Sequence, residues 1–231
     1  MGERKITITP GGPYIVSGDV PLNQAFIEPD ENGDSKEWSE GKSYDTGGGA
    51  SYALCRCGRS KHKPFCDGSH MKAGWNRPES ASRAPYLDSV KTYKGSVISM
   101  LDREELCVGA RFCDRGLNAW NYAMKADAEH PEYEEAAVYE ACNCPSGRLT
   151  VEKGGELIEP ELKAEISLAE DKAKGVRGPL AVKGGITLVS ADGTEYEIRN
   201  RYTLCRCGMS LNLPFCDASH FMSEEMQGLD E

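Results

Sequence analysis

Two stretches of this chain share one spacing of cysteine and histidine, and that repetition constrains the fold more than any other feature. The first runs Cys55-Arg56-Cys57, eight residues, Cys66, three residues, His70; the second runs Cys205-Arg206-Cys207, eight residues, Cys216, three residues, His220. A Cys-x-Cys pair in a turning segment can set both thiolates on one metal, and Cys and His at i and i+4 share a face where a helix begins. Asp67 and Asp217 follow the third cysteine of each box, where a carboxylate can cap the free N–H groups of a helix start. Pro64-Phe65 and Pro214-Phe215 precede that cysteine, fixing a turn and shielding one side of the site. The competing reading is structural zinc, for which three Cys and one His are an ordinary set. Zinc sites, however, space their first pair by about two to four residues.

The repetition extends upstream of the boxes. Residues 12–22 and 178–188 share the pattern G-P-x-x-V-x-G-x-[VI]-x-L, so each unit reads as a short strand, a glycine turn, more strand, then a metal box. The first copy is longer between strand and box by Asp30-Glu31-Asn32-Gly33-Asp34 and Gly47-Gly48-Gly49, which read as surface loop. In the second copy Ala191-Asp192-Gly193-Thr194 lies between Ile186-Thr187-Leu188-Val189 and Tyr196-Glu197-Ile198-Arg199, a pattern that predicts a β-hairpin. Between the copies a helix is expected from Pro131, although His130 is a poor N-cap. The expected class is α+β and β-rich, with residues 1–84, 85–163 and 164–231 as module, insert and module.

Composition supports small stapled modules. With 231 residues and 39% hydrophobic content, one large core is less expected than several small ones. The ten cysteines suit either disulfides outside the cell or ligands in a reduced compartment. The start of the chain favours the second: it enters the alternating Ile6-Thr7-Ile8-Thr9 without an apolar signal segment, and no apolar run approaches the roughly 20 residues that span a bilayer. A cytoplasmic protein without a membrane partner is expected. The net charge of -10 argues against nucleic acid or an anionic membrane as main partner. The acidic stretch 129–135 is expected to be a solvated face, its rival reading being a docking patch for a basic redox partner. His62 does not recur in the second copy and reads as a solvated histidine.

The boxes also carry a family resemblance. The pattern C-x-C-x2-S-x3-P-F-C-D-[GA]-S-H, present twice, resembles the CDGSH, or mitoNEET-type, iron-sulfur proteins. The resemblance implies that Cys55, Cys57, Cys66 and His70 hold one [2Fe-2S] cluster, and that Cys205, Cys207, Cys216 and His220 hold another. It implies two Cys on one iron and Cys plus His on the other, in a small β-rich fold. Such proteins pair about a two-fold axis, so tandem copies are expected either as an internal pair in a monomer or as a homodimer. The second copy departs at Ala218, where the motif has Gly, and Leu211-Asn212-Leu213 replaces the basic Lys61-His62-Lys63.

The other four cysteines lie in Leu106-Cys107-Val108-Gly109-Ala110-Arg111-Phe112-Cys113 and Cys142-Asn143-Cys144-Pro145-Ser146-Gly147-Arg148-Leu149. Bacterial ferredoxins wrap a cluster with closely spaced cysteines and close it with a distant Cys-Pro. With Ala110 at the middle position, this segment resembles the divergent single-cluster ferredoxin domain. Cys107, Cys113 and Cys144 would suffice for a [3Fe-4S] cluster, and Cys142 would either complete a [4Fe-4S] cluster or be a small buried hydrophobe. Four reduced thiols in a core remain the bland alternative. The expected function is electron transfer among redox partner proteins, the alternative being cluster transfer or redox and pH sensing through labile histidine ligands. No nucleotide loop or nucleophile elbow stands out, so the chain is expected not to be an enzyme.

Overall fold

The computed structural model describes residues 3–229. Near the N-terminus the alternation of Lys5, Ile6, Thr7 and Ile8 makes strand β1 (Lys5–Ile8), with both isoleucines buried. Strands β2 (Tyr14–Ser17), β3 (Leu22–Pro29), β4 (Ser35–Ser43) and β5 (Ser51–Leu54) complete the first copy. A middle set follows, β6 (Lys91–Lys94), β7 (Ser99–Asp102), β8 (Leu149–Lys153) and β9 (Glu156–Ile158). The second copy supplies β10 (Glu165–Asp171), β11 (Val176–Lys183), β12 (Thr187–Val189) and β13 (Arg201–Leu204).

These strands form three sheets, ordered β12-β1-β2-β5, β13-β11-β10-β3-β4 and β6-β7-β8-β9. The four strands of the first match four of the five in the second. Ile6 pairs with Val16 on one side and Leu188 on the other; Ile166 pairs with Val182 and Leu22. Tyr14 then pairs with Leu54 as Leu180 pairs with Leu204. Each of these sheets takes three strands from its own copy and continues into the other copy through a parallel pairing, β1 with β12 and β3 with β10; the second sheet carries β4 of the first copy beyond β3 as a fifth strand. The result is a pseudo-two-fold body made by strand exchange within one chain. Its core is shared as well, with Ile6, Tyr14, Val16, Leu22, Ile166, Leu180, Val182 and Leu188 in one buried cluster. Full burial of each such aliphatic side chain contributes about 1.5–3 kcal/mol, so neither copy could cover its apolar face alone.

The middle sheet is antiparallel throughout and packs on helices α2 (Ala119–Lys125) and α3 (Pro131–Asn143), with α1 the short helix Ser69–Lys72 of the first box. Pro131 does open α3, with His130 as an N-cap whose side chain makes no capping bond. Small residues of both helices, Ala119, Ala123, Ala137 and Ala141, meet Met100, Leu149 and Val151 in a second core.

Residues 30–34 and 47–49 are turns, as expected of surface loop, and the segment between them is the nine-residue edge strand β4. One local expectation needs correction. The hairpin at Asp192-Gly193 forms its turn, with Gly193 at φ +85°, yet its second arm pairs no further than Val189 with Glu195 and the Tyr196 N–H with the Leu188 carbonyl. The physical reason is competition: Tyr196 donates to Glu79, and Arg199 stacks on Tyr86 and donates to the Gly147 carbonyl. Those contacts hold the side chains of Tyr196 and Arg199 on other segments.

Candidate metal centres

Each box is closed by the backbone before any side chain acts. Cys55 N–H donates to the Pro64 carbonyl at 2.8 Å and Cys66 N–H to Ala53 at 2.9 Å. In the second copy Cys205 N–H donates to Pro214 at 2.9 Å and Cys216 N–H to Thr203 at 3.1 Å. Both Xaa-Pro bonds, Lys63-Pro64 and Leu213-Pro214, are cis. Asp67 accepts from Ser69 N–H with one oxygen and from Lys61 N–H with the other, and Asp217 does the same with Ser219 and Leu211. The aspartates thus cap the turn that carries the histidine and tie it to the preceding loop.

This scaffold brings the candidate ligands together in pairs. Cys55 and Cys57 sulfurs lie 3.9 Å apart, and Cys66 Sγ lies 3.5 Å from His70 Nδ1. The corresponding separations in the second box are 3.5 Å for Cys205 and Cys207 and 3.3 Å for Cys216 and His220. Two thiolates about 2.3 Å from one tetrahedral metal sit about 3.8 Å from each other, so each pair is spaced as ligands of a single metal. Among the described residues no group of three or more His, Cys, Asp or Glu side chains is placed to hold a single ion. The two pairs of each box, each at the spacing of one metal's ligands, fit a two-metal group with one metal per pair.

The environment favours thiolate at one cysteine of each Cys-x-Cys pair, whereas burial pushes the Cys66 and Cys216 thiols up. Within each Cys-x-Cys pair one proton is shared: Cys55 is held down at about 6 chiefly by the Cys57 thiol, and Cys205 at about 7 by Cys207, while Cys57 and Cys207 are pushed up. Backbone amides add to this, Gly58 and Ser60 toward Cys55 and Gly208 and Ser210 toward Cys205. Burial holds His220 down at about 4, with the Arg206 charge assisting, which keeps its imidazole neutral and able to ligate.

The copies differ in exposure and in charge. Cys216 and His220 are buried, whereas Cys66 and His70 are half-buried. The arginine inside each Cys-Arg-Cys is buried in both copies, a feature not read from the sequence although Arg56 and Arg206 recur at the same place. Arg206 is neutralised by the buried carboxylate of Glu170 at 2.7 Å. Arg56 lies instead over the rings of Tyr14 and Trp75 and donates to backbone carbonyls of Thr9 and Arg77. Ala218 is no mild replacement for Gly68: it holds φ +70° where Gly68 holds +81°, a left-handed conformation that costs an alanine about 1–2 kcal/mol.

The two boxes stand back to back. Cys57 and Cys207 form an isolated antiparallel bridge, and Trp75 and Arg77 of the first copy donate to the Gly208 carbonyl. A Cβ on Gly58 would lie 2.5 Å from the Cys207 oxygen, and one on Gly208 would lie 2.6 Å from the Cys57 oxygen. Only glycine permits this approach.

In the middle segment Cys107, Cys113 and Cys144 line one cavity with Val108, Ala110, Phe112 and Arg148. Burial and the neighbouring Cys144 raise the Cys113 thiol to about 12, with Arg148 opposing. Arg148 is itself held by a bidentate pair with Asp102 at 2.6 and 2.9 Å. Cys142 does not line this cavity. It is half-buried on α3, its thiol raised by burial, beside Arg201 and Glu159. The loop Val108–Ala110 has the middle cavity on one side and His220 and Phe221 on the other, and a Cβ on Gly109 would lie 2.5 Å from the Phe221 ring. The middle site therefore shares a wall with the second box, which in turn abuts the first. In the acidic stretch 129–135, Glu132 and Glu135 face an open hollow that no cysteine lines.

Among known families, the iron-binding zinc finger of CDGSH type matches residues 11–71 and again residues 177–221. A divergent 4Fe-4S mono-cluster family matches residues 93–154. No curated protein and no solved structure matches the chain. No helix among the described residues is long and apolar enough to cross a membrane.

Proposed function

This chain is an iron-sulfur protein in which two CDGSH-type iron-binding regions flank a divergent 4Fe-4S mono-cluster region, and we propose that it works as a three-centre electron carrier. In this reading Cys55, Cys57, Cys66 and His70 hold one [2Fe-2S] cluster and Cys205, Cys207, Cys216 and His220 the second. Cys107, Cys113 and Cys144 hold a third, of [3Fe-4S] type, with Cys142 outside it. Bound there, each cluster supplies one-electron chemistry at a potential set by its ligands and surroundings. The observation that carries the proposal is the row of shared walls. Cys57 touches Cys207 through the backbone, and the Val108–Ala110 loop separates the second box from the middle cavity. A donor at one end could thus reach an acceptor at the other through the buried second site.

The chain's own groups set the order of potentials. Imidazole in place of thiolate raises the potential of both histidine-ligated sites above that of an all-cysteine centre. Arg56, with no carboxylate partner among the described residues, adds positive charge at the first box, while Glu170 cancels Arg206 at the second. The first site is therefore expected at the highest potential and the middle one at the lowest. EPR-monitored redox titration tests this. Three distinct potentials in that order are expected, and three indistinguishable ones would overturn the relay.

One observation favours a second reading for the first site. His70 is half-buried, so water and protons reach its ligating ring, and loss or transfer of that cluster on acidification is a reaction it could support. Transfer of iron and sulfide to an apo-acceptor, measured for wild type and His70→Cys, separates transfer from electron carriage.

A further inference from the structure

The first box differs from the second in what surrounds it. An open hollow beside Cys57 is lined by Gly58, Arg59, Ser60, Lys61 and Lys63 of the box, with Arg177 and Glu225 from the second copy. Four cations thus converge beside the Cys55-Cys57 pair of the first box, Lys63 near enough for its charge to act on Cys55, on a chain of net charge -10. The pseudo-two-fold places Met209, Leu211 and Leu213 at the positions of Arg59, Lys61 and Lys63, so nothing in the shared fold requires the basic residues. The chain also shows how a carboxylate sits there: Glu225 lies in the hollow, its charge felt by Arg59 and Lys63.

We propose that this hollow is the docking surface for an acidic redox protein, whose surface carboxylates seat among Arg59, Lys61, Lys63 and Arg177 and bring its redox centre against the first cluster. The proposal rests on the electron-carrier reading and assigns its port. Local charge prevails over the net charge because fields are screened within about 8 Å at physiological ionic strength, which is the scale of one such cluster of side chains. The hollow is open and shallow, suiting a protein surface better than an enclosed small anion.

The test uses the full holoprotein: oxidised, its reduction by a reduced acidic plant-type ferredoxin is followed by stopped flow, the downhill direction for a histidine-ligated cluster; chemically reduced, its oxidation by a basic cytochrome c serves as the comparison. Arg59→Glu with Lys61→Glu alters exposed side chains that touch no candidate ligand. Met209→Glu with Leu211→Glu is the counterpart in the second copy. The first variant should lower the second-order rate constant with the acidic carrier by about tenfold or more, the lower end of electrostatic steering effects, and the second should change it less than twofold. Raising salt should slow wild type with the acidic carrier. Equal losses in both variants, or a wild-type rate indifferent to salt, would overturn the proposal, as would inhibition by pyrophosphate at micromolar concentration, which would mark a small-anion site. The redox titration of the same samples reports separately: normal potentials with an unchanged rate reject this port and leave the carrier reading intact.

Discussion

Replacing Gly58 by alanine tests the contact between the two boxes most sharply. Gly58 has φ +76°, and a Cβ there would lie 2.5 Å from the Cys207 oxygen and 2.9 Å from its carbonyl carbon. Gly33 provides the control, since it has φ +86° and nothing within 4 Å of the added carbon. Gly33→Ala isolates the backbone cost, about 1–2 kcal/mol for alanine in the left-handed region, offset by up to about 1 kcal/mol from a stiffer unfolded chain. The net is about 1 kcal/mol, a fall in unfolding midpoint of about 2–4 °C for a chain of this size. Gly58→Ala carries the same cost plus overpacking against main chain that cannot swing aside, about 1–3 kcal/mol more. The sum of about 2–4 kcal/mol should lower the midpoint by about 5–15 °C. Gly208→Ala should behave alike, its Cβ meeting the Cys57 oxygen at 2.6 Å. Thermal unfolding of anaerobically purified protein, followed by circular dichroism, measures all three. Equal shifts for Gly58→Ala and Gly33→Ala would refute the back-to-back arrangement.

Ala218→Gly should stabilise the protein by about 0.5–1 kcal/mol by relieving the left-handed alanine, read as a raised thermal midpoint. Cys142→Ser should leave the middle centre's absorbance and EPR signal intact, since Cys142 lies outside the cavity of Cys107, Cys113 and Cys144, whereas Cys144→Ser should abolish them. On acidification the first cluster should bleach before the second because His70 is half-buried and His220 buried, and His70→Cys should remove the early phase. Glu140 is buried, with one carboxylate oxygen lacking a partner, and burial raises its pKa to about 8. Between pH 4.5 and 8 the unfolded chain loses this proton while the folded chain keeps it, so stability falls as pH rises through that window. Denaturant titrations of Glu140→Gln should show a gain over wild type that grows from pH 5 to pH 8.

The site was more legible in the sequence than the fold that carries it. Identical spacing in two boxes is a local property, and local properties survive in a linear chain: the pairs Cys55 with Cys57 and Cys66 with His70 meet as the i+2 and i+4 spacings imply. The repeated G-P-x-x-V strand likewise marks equivalent strands β2 and β11. The exchange of β12 and β3 between sheets was not legible, because Ile6 meets Leu188 and Leu22 meets Ile166 across most of the chain's length. Such pairings are fixed by which apolar faces remain uncovered once each copy has folded its own strands. The same applies to charge. Arg56 and Arg206 look alike in sequence, and only Glu170, brought by β10, makes one of them a neutral pair. Tyr196 and Arg199 have strand-like neighbours, yet bonds to Glu79 and Gly147 outweigh the hairpin.

The most direct test of the three-centre account is iron and acid-labile sulfide content, with EPR of the same anaerobically purified sample. The account predicts about seven irons per chain, with two histidine-ligated signals and one [3Fe-4S] signal. About four irons with no third signal would remove the middle centre, and zinc in place of iron would contradict the account altogether.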